Sequence, residues 1–140
     1  MKAFLAILLI SVTAFAAEDT PLKPVRSMAG AVRHDAIGVS LIRLIASPKE
    51  YDGKAVRVLG YLNIAFEHNA IYLHREDLEH GLSRNGLWIA ATREMMLELR
   101  KLSGQYVLIE GVFEPQNTGH GNLFSGAIVE INRAQAWRSR

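Results

Sequence analysis

Apolar and polar residues alternate with a period of two along five stretches of this chain. From Lys54 to Phe66, Val56, Val58, Leu62 and Ile64 fall on one face and Arg57, Leu59, Tyr61 and Asn63 on the other. Asp52-Gly53 launches this strand, and Gly60 interrupts it halfway. A tight connection is expected at Glu67-His68-Asn69, with Asn69 tolerating left-handed backbone. The second strand, Ala70 to His74, points Ile71 and Leu73 inward and Tyr72 and His74 outward. The third, Leu87 to Ala91, points Leu87 and Ile89 inward and Trp88 outward. The fourth runs from Gln105 to Glu114, again broken by a glycine, Gly111, and stopped by Pro115. The fifth runs from Ala127 to about Arg133, with Ala127, Val129 and Ile131 inward.

Helical spacing takes over between these strands. Ser40 caps a short helix from Leu41 to Ala46, with Leu41, Leu44 and Ile45 on one face. Ser47-Pro48-Lys49-Glu50 reads as a second helix start, ended by Asp52-Gly53. Residues Arg75 to Leu82 form a polar, helix-like stretch, followed by a turn at 83–86. Thr92 caps an amphipathic helix from Arg93 to Leu102, whose stripe is Met95, Met96, Leu99 and Leu102; Gly104 ends it. Residues 116–126 form a long loop rich in glycine and asparagine, containing His120.

Three strands, a helix, then two strands, with glycines inside two of the longer strands, predict a mainly-β domain. The expected form is a small five-stranded barrel of the oligonucleotide/oligosaccharide-binding (OB) type, plugged at one end by the helix after the third strand. An open sheet packed on helices, in the α+β class, is the alternative. One domain over residues 39–140 suits the length of 140 residues.

The N-terminus reads as an address. Met1-Lys2 is basic, Ala3 to Val12 is almost wholly apolar, and Ala14-Phe15-Ala16 supplies small residues for cleavage. This is the three-part pattern of a secretory signal peptide over residues 1–16, too short for a spanning helix of ~20 residues. It predicts a periplasmic or secreted protein. Residues 17–38, with two prolines, two glycines and no period, read as a flexible leader.

Charge and cysteine content narrow the chemistry. The net charge is +2, and removing a leader that carries only Lys2 leaves 15 basic against 14 acidic residues. That balance gives no electrostatic footing for a nucleic-acid partner, so single-stranded nucleic-acid binding stands only as an alternative drawn from the fold. With no cysteine there is no disulfide and no thiolate metal site.

Several short motifs occur together: Tyr51-Asp52-Gly53-Lys54 with Val56-Arg57-Val58 and Gly60-Tyr61-Leu62; Tyr72-Leu73-His74 with Asp77; Gly86-Leu87-Trp88; Tyr106-Val107 with Glu110-Gly111 and Phe113; and Gly119-His120 with Gly126. Over roughly Val39 to Arg133 the chain resembles a group of small, exported, uncharacterised bacterial proteins with OB-like barrels. The resemblance implies fold and export. It brings no activity, cofactor or site residue with it.

The candidate site is therefore read from the residues. Alternation places Tyr61, Tyr72, His74 and Trp88, with Arg57 and Asn63, on the outer face of the first three strands. Exposed aromatics on that face of an OB barrel can stack on sugars or bases. The leading expectation is a small binding module of the bacterial envelope. It would take a glycan or a segment of another protein on Tyr61, Tyr72 and Trp88, with His120 at the rim. The competing expectation is that the Leu41–Ala46 helix lies over this face and buries it.

A metal-dependent or hydrolytic enzyme using His74, Asp77, His80 and His120 is a second alternative, since imidazole and carboxylate are zinc ligands. Residues six apart on a helix point in different directions, however, unlike the pair in His-Glu-x-x-His. No nucleophile elbow, phosphate loop or dinucleotide fingerprint is present, so no catalytic residue and no cofactor is assigned. A structural subunit of an envelope assembly is the remaining alternative.

Overall fold

The computed structural model describes residues 32–138. The expected signal peptide and most of the expected leader lie outside the described residues. The strands are β1 (Ile37–Gly38), β2 (Ala55–Ala65), β3 (His68–Tyr72), β4 (Gly86–Ile89), β5 (Gln105–Glu114) and β6 (Ala127–Ala136). The helices are α1 (Leu41–Ala46), α2 (Pro48–Tyr51), α3 (Arg75–Glu79) and α4 (Arg93–Arg100).

The domain is mainly β. Strands β2, β3, β4, β6 and β5 pair in that order, and β5 returns to β2, so five strands make a ring rather than a strict barrel. All ring pairings are antiparallel except β4 with β6. β2 is long enough to serve two neighbours. Its first part, Ala55 to Leu62, pairs with β5, and its second, Tyr61 to Ala65, pairs with β3. The edge that β3 leaves free is taken by β1, where Ile37 and Gly38 run parallel to Val56 and Arg57. The last residues of the expected leader are thus part of the sheet.

The mid-strand glycines let neighbouring chains come close. A Cβ on Gly60 would stand 2.5 Å from the Tyr72 carbonyl oxygen, and one on Gly111 would stand 2.6 Å from Ile128 Cγ2. Any side chain there would push the ring apart.

Inside the ring lie Val56, Val58, Leu62, Ile71, Leu87, Ile89, Val107, Ile109, Phe113 and Ile128. α4 packs on this core through Leu99, which is fully buried, and Leu102 just beyond its end is nearly so. Thr92 caps it by accepting the Met95 N–H at 3.2 Å. α1 inserts Leu41 and Leu44 into the same core, and Ser40 Oγ accepts the Arg43 N–H at 3.2 Å. Each such leucine contributes roughly 1.5–3 kcal/mol of burial.

Two local readings are corrected. The β2–β3 hairpin turns on Phe66 and Glu67, because Ala65 pairs with His68; the left-handed residue is Glu67 (φ 54°), not Asn69. On β6 the alternation changes phase. Ile128, Ile131 and Ala134 pack in the core, while Val129 is half-buried on the other side. The cause is a bulge: Glu110 pairs with Arg133 but Val112 with Val129, and Glu130 absorbs the extra chain at φ 47°.

Candidate functional site

The outer surface of the ring carries the residues singled out by alternation, and it divides into two halves. On β3 and β4 the outward positions are Ala70, Tyr72 and Trp88, with Ala70 opposite Trp88 and Tyr72 opposite Gly86. The Tyr72 ring lies on Gly86, where a Cβ would come within 2.7 Å of Cε1. The 116–126 loop then folds back over both aromatics. Phe124 places its ring 5.5 Å from Trp88 and 6.4 Å from Tyr72, and His68 stands edge-on to it at 5.7 Å. Gly119 presses on Trp88 so closely that a Cβ would meet Cγ at 2.6 Å.

Polar bonds hold that loop down. Trp88 N–H donates to the Gly126 carbonyl at 2.8 Å, and Ser125 N–H to that of Gly86 at 3.2 Å. Arg84 Nη1 donates to the Phe124 carbonyl at 3.0 Å, and Ser125 Oγ to the Arg84 carbonyl at 2.7 Å.

Tyr72 is in consequence fully buried. Its hydroxyl shares a 2.7 Å hydrogen bond with His68 Nε2. Burial raises the phenol above its ordinary pKa; a hydrogen bond with Ser83 opposes this, and the Asp77 charge adds to it. The outward reading of Tyr72 and Trp88 is correct in direction, yet neither offers an open platform. The cover is the 116–126 loop with Phe124, whereas the Leu41–Ala46 helix that was the expected cover packs in the main core.

The other half, over β2, β5 and β6, is open around Leu59, Tyr106 and Trp137. Tyr61 lies opposite Tyr106, and their rings meet edge-to-face at 5.5 Å. Leu59 lies opposite Leu108, and Leu108 opposite Gln135. Trp137 continues β6 and donates its N–H to the Tyr106 carbonyl at 2.8 Å. Leu59, Tyr106 and Trp137 remain 39%, 38% and 46% exposed.

One pleat further along, three consecutive strands align Arg57, Glu110 and Arg133. Glu110 is wholly shielded from solvent. Arg57 Nε donates to its Oε1 at 2.6 Å and Arg133 Nη1 at 3.0 Å; the Arg33 N–H donates to Oε2 at 3.3 Å. Burial works to raise this carboxyl, but the Arg57 hydrogen bond, the Arg33 N–H and the charges of Arg57 and Arg133 outweigh it. The net shift is downward, so Glu110 is ionised at neutral pH. Arg57 Nη2 also donates to the Arg33 carbonyl at 3.4 Å, tying the chain ahead of β1 to this surface.

The other candidates sit apart. Asn63 Nδ2 donates to the His68 carbonyl at 2.8 Å inside the hairpin. His120 Nε2 lies 3.5 Å from Glu67 Oε2, beside the hairpin tip. Asp77 is buried and occupied: Oδ2 accepts the His74 N–H at 3.0 Å, and Oδ1 accepts from Asn85 Nδ2 at 2.8 Å. It caps α3. His74 and His80 are exposed at the two ends of that helix. Among the described residues no three histidine, aspartate or glutamate side chains gather where they could hold a metal ion.

Sequence reasoning named Tyr106 and Glu110 only within a shared motif and placed neither of them, nor Phe124, at the candidate site. Tyr106, Leu108 and Glu110 alternate with the core positions Val107 and Ile109, which was the available signal for an outward row on this strand.

No protein-family model matches this chain, and no curated protein matches it in sequence. Among the described residues no helix is long and apolar enough to cross a membrane.

Proposed function

We propose that this chain is an exported small binding module of the bacterial envelope, and that the open face over β2, β5 and β6 holds its ligand. Export rests on the basic, apolar and small-residue order of residues 1–16. The five-stranded ring, with a helix between its third and fourth strands, fits an OB-like barrel. In such barrels the second and third strands usually carry the ligand, but here that face is filled by Phe124. The binding surface moves round the ring to β2, β5 and β6.

The observation that carries the proposal is the exposure of Leu59, Tyr106 and Trp137 together on one face, beside the arginines that hold Glu110. Tyrosine, tryptophan and arginine around an aliphatic centre make the composition of protein-interface anchors. The ligand favoured by Leu59 and Leu108 at the centre is a segment of another protein. Sugar stacking on Trp137 and Tyr106 is the second reading, favoured by the amide of Gln135 beside them.

A peptide library and a glycan array, each probed with the wild type and with a Tyr106→Ala/Trp137→Ala double variant, test this. Peptide ligands bound by the wild type and lost by a folded double variant are the expected result. Glycan hits with the same loss select the second reading. Ligands bound equally by both proteins, or none bound by either, overturn the assignment of this face.

A further inference from the structure

The ring closes most thinly between β4 and β6. Two residue pairs, Trp88 with Ala127 and Ile89 with Ile128, are followed by a last bond from Ala90 N–H to the Ile128 carbonyl at 3.1 Å. The strands then part. The chain after β4 leaves for the cap of α4, and β6 runs into its bulge opposite Gly111. Where they part lies an open groove of about 600 Å³ lined by Ala90, Ala91, Thr92, Met95, Glu130 and Ile131.

The lining has a simple chemistry. Ala90, Ala91, Met95 and Ile131 make apolar walls. The Thr92 hydroxyl is already the acceptor that caps α4. One formal charge remains, the Glu130 carboxylate, which is exposed and makes no ion pair with any described residue. Glu130 is also the residue held at φ 47°. Glycine or asparagine would occupy that backbone with less strain, so a glutamate there keeps a strained conformation at the edge of the groove. Pockets that take small molecules have this make-up: mostly apolar walls with one polar group that fixes orientation.

We infer that this seam binds a small aliphatic amine, its alkyl body against Ala91, Met95 and Ile131 and its ammonium on Glu130. A free alkylamine and the lysine side chain of a partner protein both supply that chemistry. The site is separate from the open face over β2, β5 and β6 and does not depend on its reading.

Amide chemical shifts of the isotope-labelled full chain, titrated at low salt with hexylammonium, hexanol and hexanoate, test the inference. Hexylammonium is expected to move the amides of Ala91, Met95 and Ile131 and to bind about tenfold more tightly than hexanoate. Glu130→Gln should bring hexylammonium down to the affinity of hexanol. Glu130→Gly removes the carboxylate while relaxing the backbone, and should lose the preference for the amine without loss of thermal stability. Nα-acetyl-lysine methylamide distinguishes the source: tighter binding than hexylammonium points to a partner's lysine, weaker binding to a free amine. Shifts centred elsewhere, equal affinity for ammonium and carboxylate, or undiminished amine binding by Glu130→Gln would each overturn it.

Discussion

The two halves of the outer surface begin from the same sequence rule and end in opposite states. Tyr72 and Trp88 point outward from β3 and β4, as Tyr61 and Tyr106 do from β2 and β5. What separates them is the connection that follows. The link from β5 to β6 is long enough to fold back, and it carries Phe124 to the centre of the β3–β4 face. Over β2, β5 and β6 the described chain covers only the Glu110 end, where Arg33 reaches Glu110 and Arg57, and Leu59, Tyr106 and Trp137 stay exposed. The same kind of side chain therefore serves as core in one half and as surface in the other.

Substitutions can break or sharpen that contrast. The largest effect is expected from Phe124→Ala, which opens a cavity between Tyr72, Trp88 and His68 and should cost about 3–5 kcal/mol in urea unfolding. A loss below about 1 kcal/mol would mean that the loop rests on the face without sealing it.

Next comes Glu110→Gln, which removes the charge that balances Arg57 and Arg133; about 2–3 kcal/mol is expected, because both arginines keep some contact with water. The sign of the pH dependence follows from the depressed carboxyl. Its stabilisation is complete above the unfolded glutamate value of about 4.3 and is lost as pH falls through the lower folded value. Stability measured between neutral and acid pH should therefore fall less steeply in Glu110→Gln than in the wild type. Parallel curves for the two proteins would contradict an ionised, paired Glu110.

The smallest effect is expected from Tyr106→Ala: about 1 kcal/mol or less in unfolding, since the ring is part-exposed and loses mainly its edge contact with Tyr61. A cost near that of Phe124→Ala would make the open half core as well.

The ring itself was legible in the chain. Alternation put Ile71, Leu87 and Ile89 inside, and Gly60 and Gly111 marked the close approaches. Capping by Ser40 and Thr92 followed from local chemistry alone. The misread elements are those decided by contacts between distant residues. The phase of β6 depends on a bulge opposite Gly111, which local alternation does not register. Phe124 stands in a stretch dominated by glycine and polar residues, and only the folded path of the loop reveals what it covers. Glu110 meets Arg57 and Arg133 across strands 53 and 23 residues away in sequence, so that cluster exists only once the register is known. Likewise, Asp77 near His74 and His80 suggested a ligand set, whereas its carboxylate is used by the backbone of His74 and the amide of Asn85.

The chain has two tryptophans, and each stands in one half of the surface, Trp88 beneath Gly119 and Phe124 and Trp137 on the open side. Acrylamide quenching of fluorescence in Trp137→Phe and Trp88→Phe variants compares them directly. The Trp137→Phe protein, reporting Trp88, should be quenched several-fold more weakly than the Trp88→Phe protein, reporting Trp137. Equal quenching, or a Trp88 more accessible than Trp137, would contradict a sealed half and an open half.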